Sequence, residues 1–299
     1  MTTPAPNASN ASTEEHSFEH RGCSLFYRAW GPHGAERTLI LCHGFSSNGT
    51  RWREFAENTT LGADWRILAP DLRGHGRSVY RGPLRAEDWV EDLCALMDRE
   101  KVHSAVLGGH CLGANTALRF SVAVPGRTAG LVLVEPMFTQ ALEGKLARLH
   151  RLRGILPVLA ALVRGLNRLG VRRRRLPEVD LGKLDRQFRA IMNASDSHTA
   201  VRKRYGSPRH DMLHMSLSAY LQALHETVRP LPDPARIPVP TLALLSAGGL
   251  FGSPEITREL LARIPEITLH ELEALHWIPT EQPEAMQHHL ERWLTGLFL

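Results

Sequence analysis

A chain of 299 residues with 43% hydrophobic and 22% charged side chains is long enough for one large core, and its balance excludes wholesale disorder. The net charge is +5, only mildly basic. Four cysteines (Cys23, Cys42, Cys94 and Cys111) show neither metal nor disulfide spacing, which argues against a disulfide framework and for a reducing compartment.

Residues 1–16 are polar, with no basic start and no apolar stretch, so they read as a flexible tail and not as a signal peptide. No run reaches the roughly 18 apolar residues that a spanning helix needs, and the expectation is a cytoplasmic protein without a transmembrane segment. Two alternating runs come next, near Phe18–Gly22 and Ser24–Trp30. Nearly all-apolar runs at Thr38–Cys42, Trp65–Ala69, Ala105–Leu107 and Gly130–Val134 predict buried strands. Between them, Trp89, Val90, Leu93, Leu96 and Met97 share one face of a helix over 86–99. A second helix runs from Leu112 until Pro125 and Gly126 stop it. After residue 235 the alternation returns, with strands at Thr241–Leu245 and Ile267–Leu272, a helix at Ile256–Ile264 and a last helix from about Glu281 to Leu297. Strands alternating with helices imply a parallel sheet covered on both faces. Residues 138–228 break the rhythm: rich in Leu, Arg and Ala, they read as a helical cap inserted into a core of 17–137 and 229–299.

The window Ala105–Ala114 reads as strand, tight turn, helix. Its Gly109-His110-Cys111-Leu112-Gly113 fits a G-x-nucleophile-x-G elbow with cysteine where serine is usual. Flanking glycines relieve collisions at the strained turn, and the helix N-terminus favours a thiolate. A buried structural cysteine is the plainer alternative. Three further segments accompany it: Cys42-His43-Gly44-Phe45, Asp71-Leu72-Arg73-Gly74-His75-Gly76-Arg77-Ser78, and His276-Trp277-Ile278-Pro279-Thr280-Glu281-Gln282-Pro283-Glu284.

Together and in this order, these segments resemble the α/β-hydrolase superfamily over about 20–137 and 235–299. The resemblance implies an α/β-hydrolase fold: a mostly parallel twisted sheet, helices on both faces, and a helical cap inserted after the sixth strand. Residue by residue, it implies Cys111 as nucleophile, His276 as general base, and the backbone N–H groups of Phe45 and Leu112 as an oxyanion hole. His43, Asp71, Arg73, His75 and Ser78 are expected to brace loops, and His110 is ranked below His276 as base. The acid departs from the pattern. The family commonly carries an Asp near the position of Gly249, and no Asp follows Asp233 in this chain. Glu135, directly after the apolar run Leu131–Val134, is the expected orienting acid, and a Cys–His dyad without an acid is the alternative.

A cysteine nucleophile implies acyl transfer through a thioester, which favours an activated donor such as a thioester on coenzyme A or an acyl carrier protein. Hydrolysis and transfer to another acceptor use the same residues. No motif calls for a metal or another cofactor. Between Lys145 and Arg175 the chain carries many basic and no acidic residues, interleaved with leucines. That span is read as a lure for anionic partners beside an acyl channel, or as a solvated face or interfacial helix. It lacks the aromatic pattern of nucleic-acid binding. A catalytically silent binding protein on the same fold is the alternative to an enzyme.

Overall fold

The computed structural model describes residues 13–173, 175–192, 211–212 and 214–298. Its centre is one eight-stranded sheet in the order β1-β2-β4-β3-β5-β6-β7-β8. The strands are β1 (Glu14–His20), β2 (Cys23–Trp30), β3 (Arg37–Cys42), β4 (Trp65–Asp71), β5 (Ala105–His110), β6 (Thr128–Val134), β7 (Thr241–Ser246) and β8 (Ile267–Leu272). β2 runs antiparallel to both β1 and β4, and every other pairing is parallel.

The central strands are apolar at successive positions because both faces are covered. Along β6, Leu131 and Leu133 enter one core while Val132 and Val134 enter the other. β7 repeats this, with Ala243 and Leu245 against Leu242 and Leu244. The first core is closed by α2 (Ala86–Arg99) and α3 (Leu112–Ala123), through Trp89, Leu93 and Leu118. The second is closed by α1 (Arg53–Asn58) and the C-terminal helix at Pro283–Leu297, through Phe55, Met286, Leu290 and Leu294.

Between β6 and β7 lies the helical insertion that breaks the strand–helix rhythm of the sequence. Its described helices are α4 (Gly144–Arg151), α5 (Ile155–Arg168), α6 (Leu181–Met192) and α7 (Leu217–Thr227), with α5 packed on α7. After β7 come α8 (Pro254–Leu261), β8, the short α9 (Ile278–Glu281) and the C-terminal α10 (Pro283–Leu297). The cap thus leaves the sheet at the carboxyl end of β6, the edge at which open parallel sheets hold ligands.

One boundary differs from the sequence expectation. Glu14, Glu15 and His16, read as the end of the tail, begin β1, paired with Ala29, Arg28 and Tyr27. Their alternation of half-buried and exposed positions suits an edge strand, and Arg66 fixes its start by donating from Nη2 to Glu14 Oε2 at 2.8 Å. That hydrogen bond is the main reason the Glu14 carboxyl is pulled down to about 2. The remainder of the expected tail, residues 1–12, lies outside the described residues.

Candidate active site

Cys111 is the hinge between β5 and α3, with φ 53° and ψ −112°, a left-handed backbone that non-glycine residues rarely adopt. The surrounding structure holds it there. Its N–H donates to the Val134 carbonyl at 2.9 Å and its carbonyl accepts from the Asn115 N–H at 3.0 Å. The two glycines of the elbow are steric necessities: a Cβ on Gly109 would lie 2.5 Å from the Cys42 carbonyl oxygen, and one on Gly113 would lie 2.2 Å from the same atom. The spacing of the motif therefore lets β3 pass directly beside the turn.

Glu135 ends β6 in a second left-handed position, φ 54°. One carboxylate oxygen, Oε1, accepts the Ser246 N–H at 2.5 Å, and the other, Oε2, accepts from His276 Nδ1 at 2.8 Å. At the position where the family usually has its acid, Gly249 is itself left-handed (φ 51°), and a Cβ there would press on Pro254 at 2.8 Å. The carboxylate near His276 comes instead from the neighbouring strand.

His276 lies in the loop between β8 and α9 and is buried. Glu281 ties this loop by accepting from the N–H groups of Leu275, His276 and Trp277 at 3.0, 3.1 and 2.8 Å. On the other side, His110 Nε2 donates to the His276 carbonyl at 2.9 Å. The imidazole of His276 donates from Nδ1 to the Glu135 carboxylate and lines the same cavity as Cys111. Burial pulls its pKa down, but the bonds and charges of Cys111 and Glu135 outweigh it and push it up to about 10. His110, beside the elbow, goes the other way: burial first and the neighbouring His276 second hold it well below the usual imidazole range. The three residues named from the motifs thus meet at one point, with His110 as a neutral brace.

Leu112 and Phe45, expected from the sequence to offer oxyanion donors, lie at the elbow and on the cavity wall. Leu112 is the first residue of α3, where an N–H has no partner within its own helix, and Phe45 follows β3 on the wall of the same cavity. His43 braces this loop, donating from Nδ1 to the Gly44 carbonyl at 2.8 Å and accepting the Leu72 N–H on Nε2 at 3.0 Å. The loop after β4 is held in the same manner. Asp71 accepts from the Gly49 and Arg77 N–H groups at 2.7 and 2.8 Å, Arg73 grips Asp92, and Ser78 Oγ accepts the Phe26 N–H at 2.9 Å.

All four cysteines are free. Burial pushes the Cys23 thiol up to about 11 and the Cys42 thiol up to about 12, and it raises Cys94 as well. A raised thiol carries less thiolate near neutral pH and is the weaker nucleophile there.

A cavity of about 540 Å³ opens over Cys111. Met137, Leu146, Leu181, Leu184, Tyr220 and Leu224 give it an apolar wall, and Arg51, Asp211 and His214 add polar groups. Burial lifts the Asp211 carboxyl to about 6. Apart from Leu146, these cavity residues carry no signal in the sequence, and neither does the role of Glu281, although the H-x-x-x-x-E spacing was visible. The cap leucines require a correction. Leu146 does line the cavity, but Leu152, Ile155, Val158, Leu159, Leu162 and Leu166 are exposed on the outside and line no channel.

A sequence model of the alpha/beta hydrolase family matches residues 39–286. Lipase LipV of Mycobacterium tuberculosis is 35% identical over 124 residues, covering 42% of this chain and 45% of that protein. The chain spans less than half the length of the first curated relatives that it matches. Among solved structures, a thermophilic esterase from Thermogutta terrifontis superposes with a TM-score of 0.68 at 23% identity, over 96% of this chain and 99% of that one. The thioesterase domain from the curacin biosynthetic pathway gives 0.65 at 18% identity, over 93% and 99%. At such identities the likeness speaks for the architecture alone.

Proposed function

The chain belongs to the alpha/beta hydrolase family, and on that premise we propose that it is an acyl-transfer enzyme working through a covalent acyl-cysteine. The observation that carries this reading is that Cys111 and His276 line one cavity, with the Glu135 carboxylate accepting from His276 Nδ1 at 2.8 Å. An imidazole whose pKa is pushed up to about 10 is a strong base for the proton of a neighbouring thiol.

The steps follow from this arrangement. His276 takes the Cys111 proton as the sulfur adds to the acyl carbonyl carbon, and the resulting oxyanion lies against the Phe45 and Leu112 N–H groups; one such donor is worth about 10²–10³ in rate in a well-studied hydrolase. The tetrahedral adduct collapses and expels the leaving thiol or alcohol, which takes the proton of His276. An acyl-Cys111 thioester remains. The neutral imidazole, held in its tautomer by Glu135, then deprotonates water or another acceptor, which attacks the thioester, and Cys111 leaves as the thiolate.

Energetics narrow the donor. Attack of sulfur on an oxygen ester climbs to a thioester of higher energy, whereas attack on a thioester is nearly isoenergetic. A thioester of coenzyme A or of an acyl carrier protein, or an activated ester or lactone, is therefore the proposed donor class. The apolar wall of the cavity suits an acyl chain, and its volume falls in the usual range for small-molecule sites.

The test is a chloromethyl ketone or acyl-phosphonate probe followed by mass spectrometry of peptides, run beside turnover of short acyl thioesters. Labelling confined to Cys111, with labelling and turnover both lost in Cys111→Ala, is the expected result. Equal labelling of that variant, or no turnover of any activated acyl donor by the unmodified protein, overturns the enzyme reading in favour of a silent binding protein. Competing water against added alcohols and thiols in a single turnover separates hydrolysis from transfer.

A further inference from the structure

The cap helix α5 turns its apolar side outward. Leu152, Ile155, Leu159, Leu162, Leu166 and Leu169 recur at intervals of three and four residues as a stripe, four of them along the helix and Leu152 and Leu169 just beyond its ends. All six are exposed, Leu162 at 62% and Leu169 at 80%, and Val158 widens the stripe at 60%. The opposite side of α5 provides the inward contact: Leu156 and Ala160 are buried, and the helix packs there on α7. Exposed apolar stripes of this length mark a surface that meets something else.

Charge decides what meets it. Between Lys145 and Arg175 there is no acidic residue. Arg148 and Arg151 lie exposed at one end of the stripe, and Arg168, Arg172 and Arg175 at the other. A second copy docking stripe to stripe about a two-fold axis would set these arginines against their own counterparts, which is repulsive. An anionic lipid surface satisfies both features, taking leucines among its acyl chains and arginines among its headgroups. No helix among the described residues is long and apolar enough to cross a membrane, so such an association is peripheral.

We infer that the outward face of α5, with the arginines at its ends, docks the protein on anionic lipid bilayers. The helix lies in the plane of the interface with its stripe sunk about 5–10 Å, at the headgroup boundary. The adjoining α4 then bridges lipid and active site, because its Leu146 lines the Cys111 cavity. The docking stands independently of the acyl-cysteine chemistry, since none of its residues touches the cavity around Cys111.

The experiment is co-sedimentation of the full chain with vesicles of phosphatidylglycerol and phosphatidylcholine against vesicles of phosphatidylcholine alone. Partition is expected to be about tenfold or more stronger on the anionic vesicles and to fall with added salt. The double variant Leu162→Glu, Leu166→Glu should lose that binding by about tenfold or more while its circular dichroism and thermal midpoint stay unchanged. Two milder changes, Arg148→Ser and Arg151→Ser, should weaken only the anionic preference. Three results overturn the inference: equal partition of the unmodified and double-variant proteins, a dimer in sedimentation equilibrium that the double variant dissolves while vesicles are ignored, or binding to an acidic carrier protein without binding to vesicles.

Discussion

Two stretches of similar composition meet opposite fates in this molecule. β6 is apolar and buried throughout Leu131–Val134, and it delivers Glu135 to His276. α5 is as apolar, yet most of its large side chains face outward. The difference lies in the number of covering layers. A central strand is covered by helices on both faces, so nearly every residue is buried and every shift of the chain is costly. A cap helix lies over the sheet with a neighbour on one side only, so its second side is free to serve a partner. Apolar content alone is therefore silent about direction, and the layers around an element decide it.

The sharpest way to break the buried side of this contrast is at the elbow. Gly113→Ala puts a Cβ 2.2 Å from the Cys42 carbonyl oxygen, a backbone atom with no room to retreat. Denaturant unfolding should show a loss of about 3 kcal/mol or more, or no soluble protein at all. A stability within about 0.5 kcal/mol of the parent would mean that β3 and the elbow are less tightly apposed than the structure has them.

Glu135→Gln keeps the shape and removes the charge. If Glu135 orients and charges His276, turnover falls by about 10²-fold. The pH profile gives the sign. Leaving-group departure needs the imidazolium, so activity on the alkaline side declines as pH rises through about 10 in the parent protein. Without the carboxylate that decline moves to lower pH, because one of the charges that raises the His276 pKa is gone. Unchanged turnover and an unmoved alkaline limb would leave a Cys–His dyad, with Glu135 serving only to hold the Ser246 N–H.

The same contrast explains which parts of the molecule were legible in the sequence. β8 occupies Ile267–Leu272 and α2 spans 86–99 as the periodicities predict, since those patterns arise from burial on fixed faces. Cys111, His276 and Glu135 were readable because each sits at the end of a strand or in a loop whose glycines or acid fall at fixed spacing. The cavity wall was not. Arg51, Leu184, Asp211 and Tyr220 come from distant segments that meet only through the packing of the cap on the sheet. The start of β1 was hidden for a related reason: Glu14 belongs to the fold through Arg66, a partner 52 residues away. α5 shows the limit most plainly. Its heptad-like spacing announces a stripe, but spacing is the same whether the stripe looks inward or outward.

The smallest effects test that last point on one helix. Leu156 and Leu162 are less than two turns apart, the first buried at 7% and the second exposed at 62%. Leu156→Ala removes packing against the cap interior and should cost about 2 kcal/mol or more in urea unfolding. Leu162→Ala removes a side chain that is mostly exposed, and the cost should stay within about 0.5 kcal/mol. Equal losses at the two positions would show that the outer stripe is already packed against part of the chain. The leucines would then be ordinary core, and the difference between strand and cap helix would reduce to one of depth.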